Sequence, residues 1–336
     1  MLKKITTVFF ITALLTQAAA AQESVLRFNE EGKFKIVQFT DTHICKGGNV
    51  SEYRNMQADK TLGRISRVVR GEKPDFIVLT GDVITGGDAA ASWRMLLDSL
   101  SSFKIPFCVV FGNHDPETGV SRVDMSELIA SAPYSVNALN KAKELADLEL
   151  KVLPSQGNDI QLVLYCMDSH DYSTVETVRG YGWFTTDQIE WLRQSCLDMT
   201  ESNGGNPVPS LAFFHICLPE YSQAWDNPSN SKTGRRAEKE CPGALNTGMF
   251  AAMVETGSVM GVFVGHDHDN DYVVAEKGVA LGYGRFSGDD STYNNLRSGA
   301  RVIVLEEGNR GFESWILEDD GRVVDHMHFR EGKITK

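Results

Sequence analysis

Five stretches of this 336-residue chain end an apolar run in residues that bind metals or move protons. Val262-Phe263-Val264-Gly265 leads into His266-Asp267-His268, and Ile36-Val37-Gln38-Phe39 into Thr40-Asp41-Thr42-His43. Phe76-Ile77-Val78-Leu79-Thr80 leads into Gly81-Asp82, Phe107-Cys108-Val109-Val110-Phe111 into Gly112-Asn113-His114-Asp115, and Leu211-Ala212-Phe213-Phe214 into His215. Neutral imidazole is the commonest protein ligand for borderline metals, and carboxylates complete such sites with oxygen. Side chains at i and i+2 of an extended backbone point the same way. Asp41 with His43, and His266 with His268, can therefore clamp one ion or reach toward two. Each pair alone has a plainer reading, because Asp and Thr also cap helices and histidines also decorate surface loops. Recurrence at successive strand ends is what favours metal chemistry.

Such loops need a scaffold that gathers distant segments along one edge. Apolar, β-branched and aromatic runs bounded by turns predict strands at 34–39, 76–80, 107–111, 161–167, 211–214 and 261–264. Helical spacing predicts helices at 56–70, 89–100, 121–130 and 247–255, and another that runs to residue 199 from a cap at Thr185 or Thr186. In that last helix Ile189, Leu192 and Leu197 form the expected core face. Strands that are apolar throughout and alternate with helices imply a parallel sheet covered on both faces, with ligands collected at the carboxyl ends of its strands. Residues 137–158 read as a rim excursion with a helical piece at 141–150, and 222–243 as a long loop suited to substrate selection. Short strands at 272–274, 279–281, 301–305 and 314–316 predict an antiparallel or mixed second sheet. With no linker or internal repeat, residues 22–336 read as a single domain.

At 42% hydrophobic and 23% charged, the composition is that of a soluble globular protein with an ample core. A net charge of −12 disfavours nucleic acid as a partner. Lys3 and Lys4, an apolar run over 5–15 and Ala19-Ala20-Ala21 have the order of a signal peptide spanning 1–21, cut before Gln22. The run is too short to span a bilayer. The expectation is a periplasmic or secreted protein with no membrane anchor once mature. Export permits disulfides. Cys108 and Cys166, however, sit in strand-like runs, where cysteine is usually a small buried hydrophobe. A Cys217–Cys241 bridge is conceivable, and no C-x-x-C zinc motif occurs.

Taken together, Asp41-x-His43, Gly81-Asp82, Gly112-Asn113-His114-Asp115, His215 and Gly265-His266-x-His268 resemble the five blocks of the calcineurin-like metallophosphoesterases. Phe214-His215, Pro219-Glu220-Tyr221 and Gly265-His266-Asp267-His268-x-Asn270-Asp271 look most like the small branch related to purple acid phosphatases. Purple acid phosphatases proper supply an iron-bound tyrosine from an Asp-x-x-Tyr block. Here Thr85 stands at that position and Asp41-x-His43 supplies a histidine instead, so neither a purple colour nor an obligate ferric ion is expected.

The resemblance implies an α/β fold: a four-layer αββα sandwich of two mixed β-sheets flanked by helices, with the metal site at the carboxyl ends of the strands. It also implies two metal ions. Asp41, His43, Asp82 and His268 would hold the first; Asp82, Asn113, His215 and His266 the second, with Asp82 bridging. The mixed oxygen and nitrogen set suits Fe, Mn or Zn and disfavours Ca. Two such cations about 3.5–4 Å apart activate a shared water for in-line attack on phosphorus. In this scheme a metal-bridging hydroxide is the nucleophile and His114 protonates the leaving alkoxide, with Asp115 orienting its ring. Asn113 also touches a phosphate oxygen. Outside those blocks, Gly282-Tyr283-Gly284-Arg285 offers a guanidinium for bidentate phosphate binding, the alternative being a surface ion pair. Asp267 and Asp271 are expected to support the ligands, His170 reads as a satisfied surface histidine with a place in the site as the alternative, and His326 and His328 read as exposed.

The expected activity is hydrolysis of phosphate monoesters, on a phosphorylated small molecule or a phosphoprotein. Phosphodiester hydrolysis, of cyclic nucleotides or lipid headgroups, is the alternative within enzymes. A catalytically silent metal-binding protein of the same fold is the alternative outside them.

Overall fold

Adjacent residues of one strand belong to different cores. In Lys33–Phe39, Ile36 packs into an apolar layer between two sheets, while Val37 and Phe39 face a layer of helices. The same alternation splits Val78 from Ile77 and Leu79 in Phe76–Thr80. On the other sheet it splits Leu164 from Val163 and Tyr165 in Leu162–Cys166. Side chains of a strand alternate in direction, so burial on both faces requires cover on both. The result, in a computed structural model describing residues 25–289 and 296–336, is four layers in the order helices, sheet, sheet, helices. The signal peptide expected at 1–21 lies outside the described residues. No helix among those described is long and apolar enough to cross a membrane.

One sheet has seven strands, ordered Lys333–Thr335, Val323–Arg330, Gly311–Glu318, Gly299–Glu306, Lys33–Phe39, Phe76–Thr80 and Phe107–Val110. Its last three strands are parallel. The other sheet has eight strands, with Leu162–Cys166, Ser210–Phe213, Val259–Val264 and Val279–Tyr283 parallel at its centre. Helices Glu52–Glu72, Ala89–Ser102 and Arg122–Ser131 cover the first sheet. Thr186–Ser202, Glu220–Asp226 and Met249–Thr256 cover the second.

Several sequence expectations are corrected. The parallel strands are divided between the sheets instead of sharing one. Leu148–Leu153 pairs antiparallel with Leu162–Cys166 in the second sheet, so the chain has changed sheets after Phe107–Val110. The C-terminal strands do not form a separate sheet: Gly299–Glu306 adds antiparallel to Lys33–Phe39, and Val279–Tyr283 adds parallel to Val259–Val264. Apolar periodicity reports how many faces are buried, not which strand is the neighbour. The helical piece expected at 141–150 is absent, because the Asn140 side chain accepts the Ala142 and Glu144 amides and closes a turn. The loop expected at 222–243 contains the end of the short helix Glu220–Asp226 and the two-residue strand Lys232–Thr233. Leu192 and Ile189 face the core as expected, but Leu197 is 47% exposed, and Ser195 and Cys196 are the other buried positions. Thr185 is the cap of Thr186–Ser202, with Gln188 bonding back to its amide. All six cysteines are free thiols, so no Cys217–Cys241 bridge forms.

Candidate metal centre

Splitting the parallel strands sets the carboxyl ends of both sheets against each other. Asp41, His43, Asp82 and Asn113 arrive from the first sheet, and His215, His266 and His268 from the second. Backbone bonds hold the loops in register: Asp41 N–H donates to the Gly81 carbonyl at 3.0 Å and Gly265 N–H to the His215 carbonyl at 3.0 Å. The Gln38 amide crosses between sheets to the Val264 carbonyl at 3.1 Å. Four ligand-type residues are left-handed without being glycine: Asp41 (φ 50°), His43 (φ 45°), Asp82 (φ 49°) and His266 (φ 76°). That conformation costs an L-residue roughly 1–2 kcal/mol and concentrates where a site demands it.

Two groups of donors result, each with its atoms within 4.8 Å of one another: Asp41, His43, Asp82 and His268; and Asp82, His215 and His266. Asp82 belongs to both. His268 Nε2 lies 3.3 Å from Asp41 Oδ1, and His215 Nε2 lies 3.3 Å from Asp82 Oδ2. The Asn113 amide oxygen, 3.2 Å from His215 Nε2, completes the second group. His215 Nδ1 donates to the Thr80 carbonyl at 2.8 Å, which turns Nε2 toward the centre. Thr40 Oγ1 donates to Asp41 at 2.7 Å, and the His114 amide to Asp82 Oδ1 at 2.8 Å.

The residues fit a pair of borderline cations. His43 Nε2 is buried with no hydrogen-bond partner, 3.7 Å from Asp82 Oδ2. An unpaired polar atom is costly in a protein interior unless an ion takes it up. Neighbouring glycines leave the carboxylates room: a Cβ on Gly112 would fall 2.2 Å from Asp82 Oδ1, and one on Gly265 would fall 2.5 Å from Asp41 Oδ2. Oxygen and imidazole donors together suit Fe, Mn or Zn. Burial pushes the carboxyls up, and the imidazoles overcome it. His215 and His43 hold Asp82 well below the usual carboxylate range, and His268 and His215 hold Asp41 below it. Burial and the neighbouring His215 drive His266 down to about 3, which keeps it neutral and available as a ligand.

His114 stands at the rim, 40% exposed, with its ring 5.9 Å from that of His43. Asp115 does not orient it. The Asp115 carboxyl is fully buried and accepts the amides of Gly112, Val83 and Ile84 at 2.8–3.0 Å. Burial and the nearby Asp82 push it up to about 7. The partner of the His114 ring is Glu117, whose Oε2 lies 2.7 Å from Nδ1. The other oxygen of Glu117 accepts from the Tyr172 hydroxyl at 2.9 Å, and that hydroxyl accepts from the Asn113 amide at 3.4 Å. Tyr181 stacks on Tyr172 and presents its face or edge to His266, 4.4 Å between ring centres. Glu117, Tyr172 and Tyr181 were missed in the sequence. The one usable signal was Pro116 after Asp115, which marks a turn able to bring residue 117 back toward 114.

Arg285 is also corrected. It is 2% exposed and engaged by Asp271, Glu318 and the Arg297 carbonyl, so its guanidinium is turned away from any phosphate. Asp267 accepts from the Tyr283 hydroxyl at 2.6 Å, and Asp271 from the Arg235 amide at 2.6 Å. Both brace the histidine loop. His170 bonds to Gln188 instead of entering the centre.

Known proteins resemble this chain in sequence and in fold. The profile of the Calcineurin-like phosphoesterase family matches residues 34–270. The protein named probable inactive purple acid phosphatase 29 of Arabidopsis thaliana is 32% identical, across 88% of this chain and 83% of its own. Phosphatase DCR2 of Saccharomyces cerevisiae is 30% identical, across 81% of this chain and 48% of its own. A dimetal phosphatase from Danio rerio has the same fold, with a TM-score of 0.62 at 12% identity, over 89% of this chain and 99% of that one. The profile runs from the first ligand-bearing strand through His268, and the plant relative matches well beyond it, so the chain belongs to the calcineurin-like phosphoesterase family.

Proposed function

We propose that this protein is an exported phosphatase that hydrolyses phosphate monoesters at a dinuclear centre of Fe, Mn or Zn. The observation that carries the reading is the pair of donor groups joined through Asp82, with an imidazole at their rim. Bound there, a cation pair supplies Lewis-acid activation of water and of the phosphoryl group. The chain supplies the rest. Asp41, His43 and His268 would hold one ion; Asn113, His215 and His266 the other. His114 donates a proton to the leaving oxygen through Nε2, because Glu117 engages Nδ1. Tyr172 fixes both Glu117 and the Asn113 amide, so proton donor and phosphoryl contact are set by one hydroxyl.

The word inactive in the plant relatives' names belongs to those proteins. In this chain every ligand-type position is filled, which supports turnover over a silent fold. The test is purified protein, reconstituted separately with Fe, Mn and Zn, on aryl and alkyl phosphate monoesters and on bis(p-nitrophenyl) phosphate. Monoester hydrolysis abolished by chelator is expected. Turnover of the diester alone would replace this reading with the phosphodiesterase. Uptake of two ions with no turnover of either class would leave the silent metal-binding protein. Export rests on the leader-like N-terminus, and the first residue of the mature protein should be Gln22; a mature protein beginning at Met1 would refute it.

A further inference from the structure

The seven-stranded sheet carries a second set of metal-type donors, two strands removed from the catalytic edge. Gly311–Glu318 and Val323–Arg330 pair antiparallel, with Glu313 directly opposite His328. His326 and His328 are two apart on one strand and share its outer face, since Met327 and Phe329 between and beyond them enter the inter-sheet core. The imidazoles and the Glu313 carboxylate place one donor atom each within 4.8 Å of the others. The two rings meet edge to face, 5.3 Å between centres, and Trp315 lies 5.8 Å from His326.

A surface ion pair would need only one histidine. Glu313 already pairs with His326, yet His328 stands in register within reach of the same point. We propose that Glu313, His326 and His328 bind one divalent transition ion (Zn, Cu or Ni), separate from the catalytic pair, that clips the terminal strands together. Ligands on one zinc lie roughly 3–3.5 Å apart, given bonds of about 2.0–2.1 Å, so small rotations of exposed side chains close the set. Two imidazoles and one carboxylate disfavour Ca and Mg. With three protein ligands, at least one position stays open and the ion exchanges with solvent.

The test uses the whole protein, stripped with chelator and titrated with Cu2+ and with Zn2+. Trp315 makes the site visible, because Cu2+ bound beside it quenches indole fluorescence. The wild type should take up one equivalent more than His326→Ala/His328→Ala and lose emission that the double variant keeps. Trp315→Phe should lose that part of the quench and keep the extra equivalent. Asp82→Asn disrupts only the catalytic centre, so it should retain the quench whether or not the protein proves to be a phosphatase. Equal uptake and equal quench in wild type and double variant would overturn the proposal. So would loss of the Trp315-dependent quench in Asp82→Asn.

Discussion

At the scale of single residues, the His114 ring is held from outside the motif that contains it. The turn at Asp115–Thr118 brings Glu117 onto the His114 ring, and Tyr172, distant in sequence, locks Glu117 in place. His114→Ala should keep both metals and slow turnover by roughly two to four orders, the usual worth of a general acid or base. Elemental analysis beside steady-state rates checks both halves, and unaltered turnover would remove the role. Glu117→Gln keeps a hydrogen-bond partner and loses the charge. It should slow alkyl phosphates, whose leaving group needs the proton, much more than p-nitrophenyl phosphate, whose leaving group does not. An equal loss on both would instead mean that the change had displaced Asn113 through Tyr172. The metal-ligand types were legible because each follows an apolar strand in a short motif. Glu117 and Tyr172 were not, because their roles arise from where a turn and a distant loop fold back.

At the scale of elements, Arg285 ties the two sheets together behind the metal loops. It sits beyond Val279–Tyr283 of one sheet and pairs with Glu318 at the end of Gly311–Glu318 in the other, as well as with Asp271 after the histidine loop. Arg285→Met would leave the buried Asp271 carboxylate without its cation, while Glu318 would keep Arg322. Breaking a buried pair from one side costs about 3–5 kcal/mol, so denaturant unfolding should show a loss of that order. A variant of full stability with a raised KM would return Arg285 to substrate binding. In the sequence, Gly282-Tyr283-Gly284-Arg285 reads as a phosphate cradle or as a surface ion pair, because the partners Asp271 and Glu318 are brought in by other segments of the chain. Sheet membership was hidden for the same reason. Each strand announces its own burial in its side chains, while its neighbour is chosen by crossovers that leave no periodic trace. Strand and helix positions were therefore largely legible, and the exchange of strands between the two sheets was not.

At the scale of the whole molecule, the candidate metal centre is the seam where two sheet edges close on each other. Asp41 and Asp82 are each 1% exposed, and His215 is fully buried. Without cations the carboxylates of Asp41 and Asp82 have imidazoles as their charge partners, and His43 Nε2 is buried with no hydrogen-bond partner. Binding energy at the seam is thus also folding energy, since the unfolded chain has no such site. A single ion held at 1,000 times its Kd adds about 4 kcal/mol to stability, so the chelated protein should melt well below the loaded one. The ligands must be deprotonated to bind, which gives the effect a pH direction. As pH falls, protons compete for the imidazoles, metal affinity drops, and the melting temperature of the loaded protein should approach that of the chelated one. Thermal melts of both forms at several pH values, with metal content measured at each, check this. Coincident melts of the two forms at a pH where the loaded protein still holds its ions would mean that the seam holds without them, and that the cations serve chemistry alone.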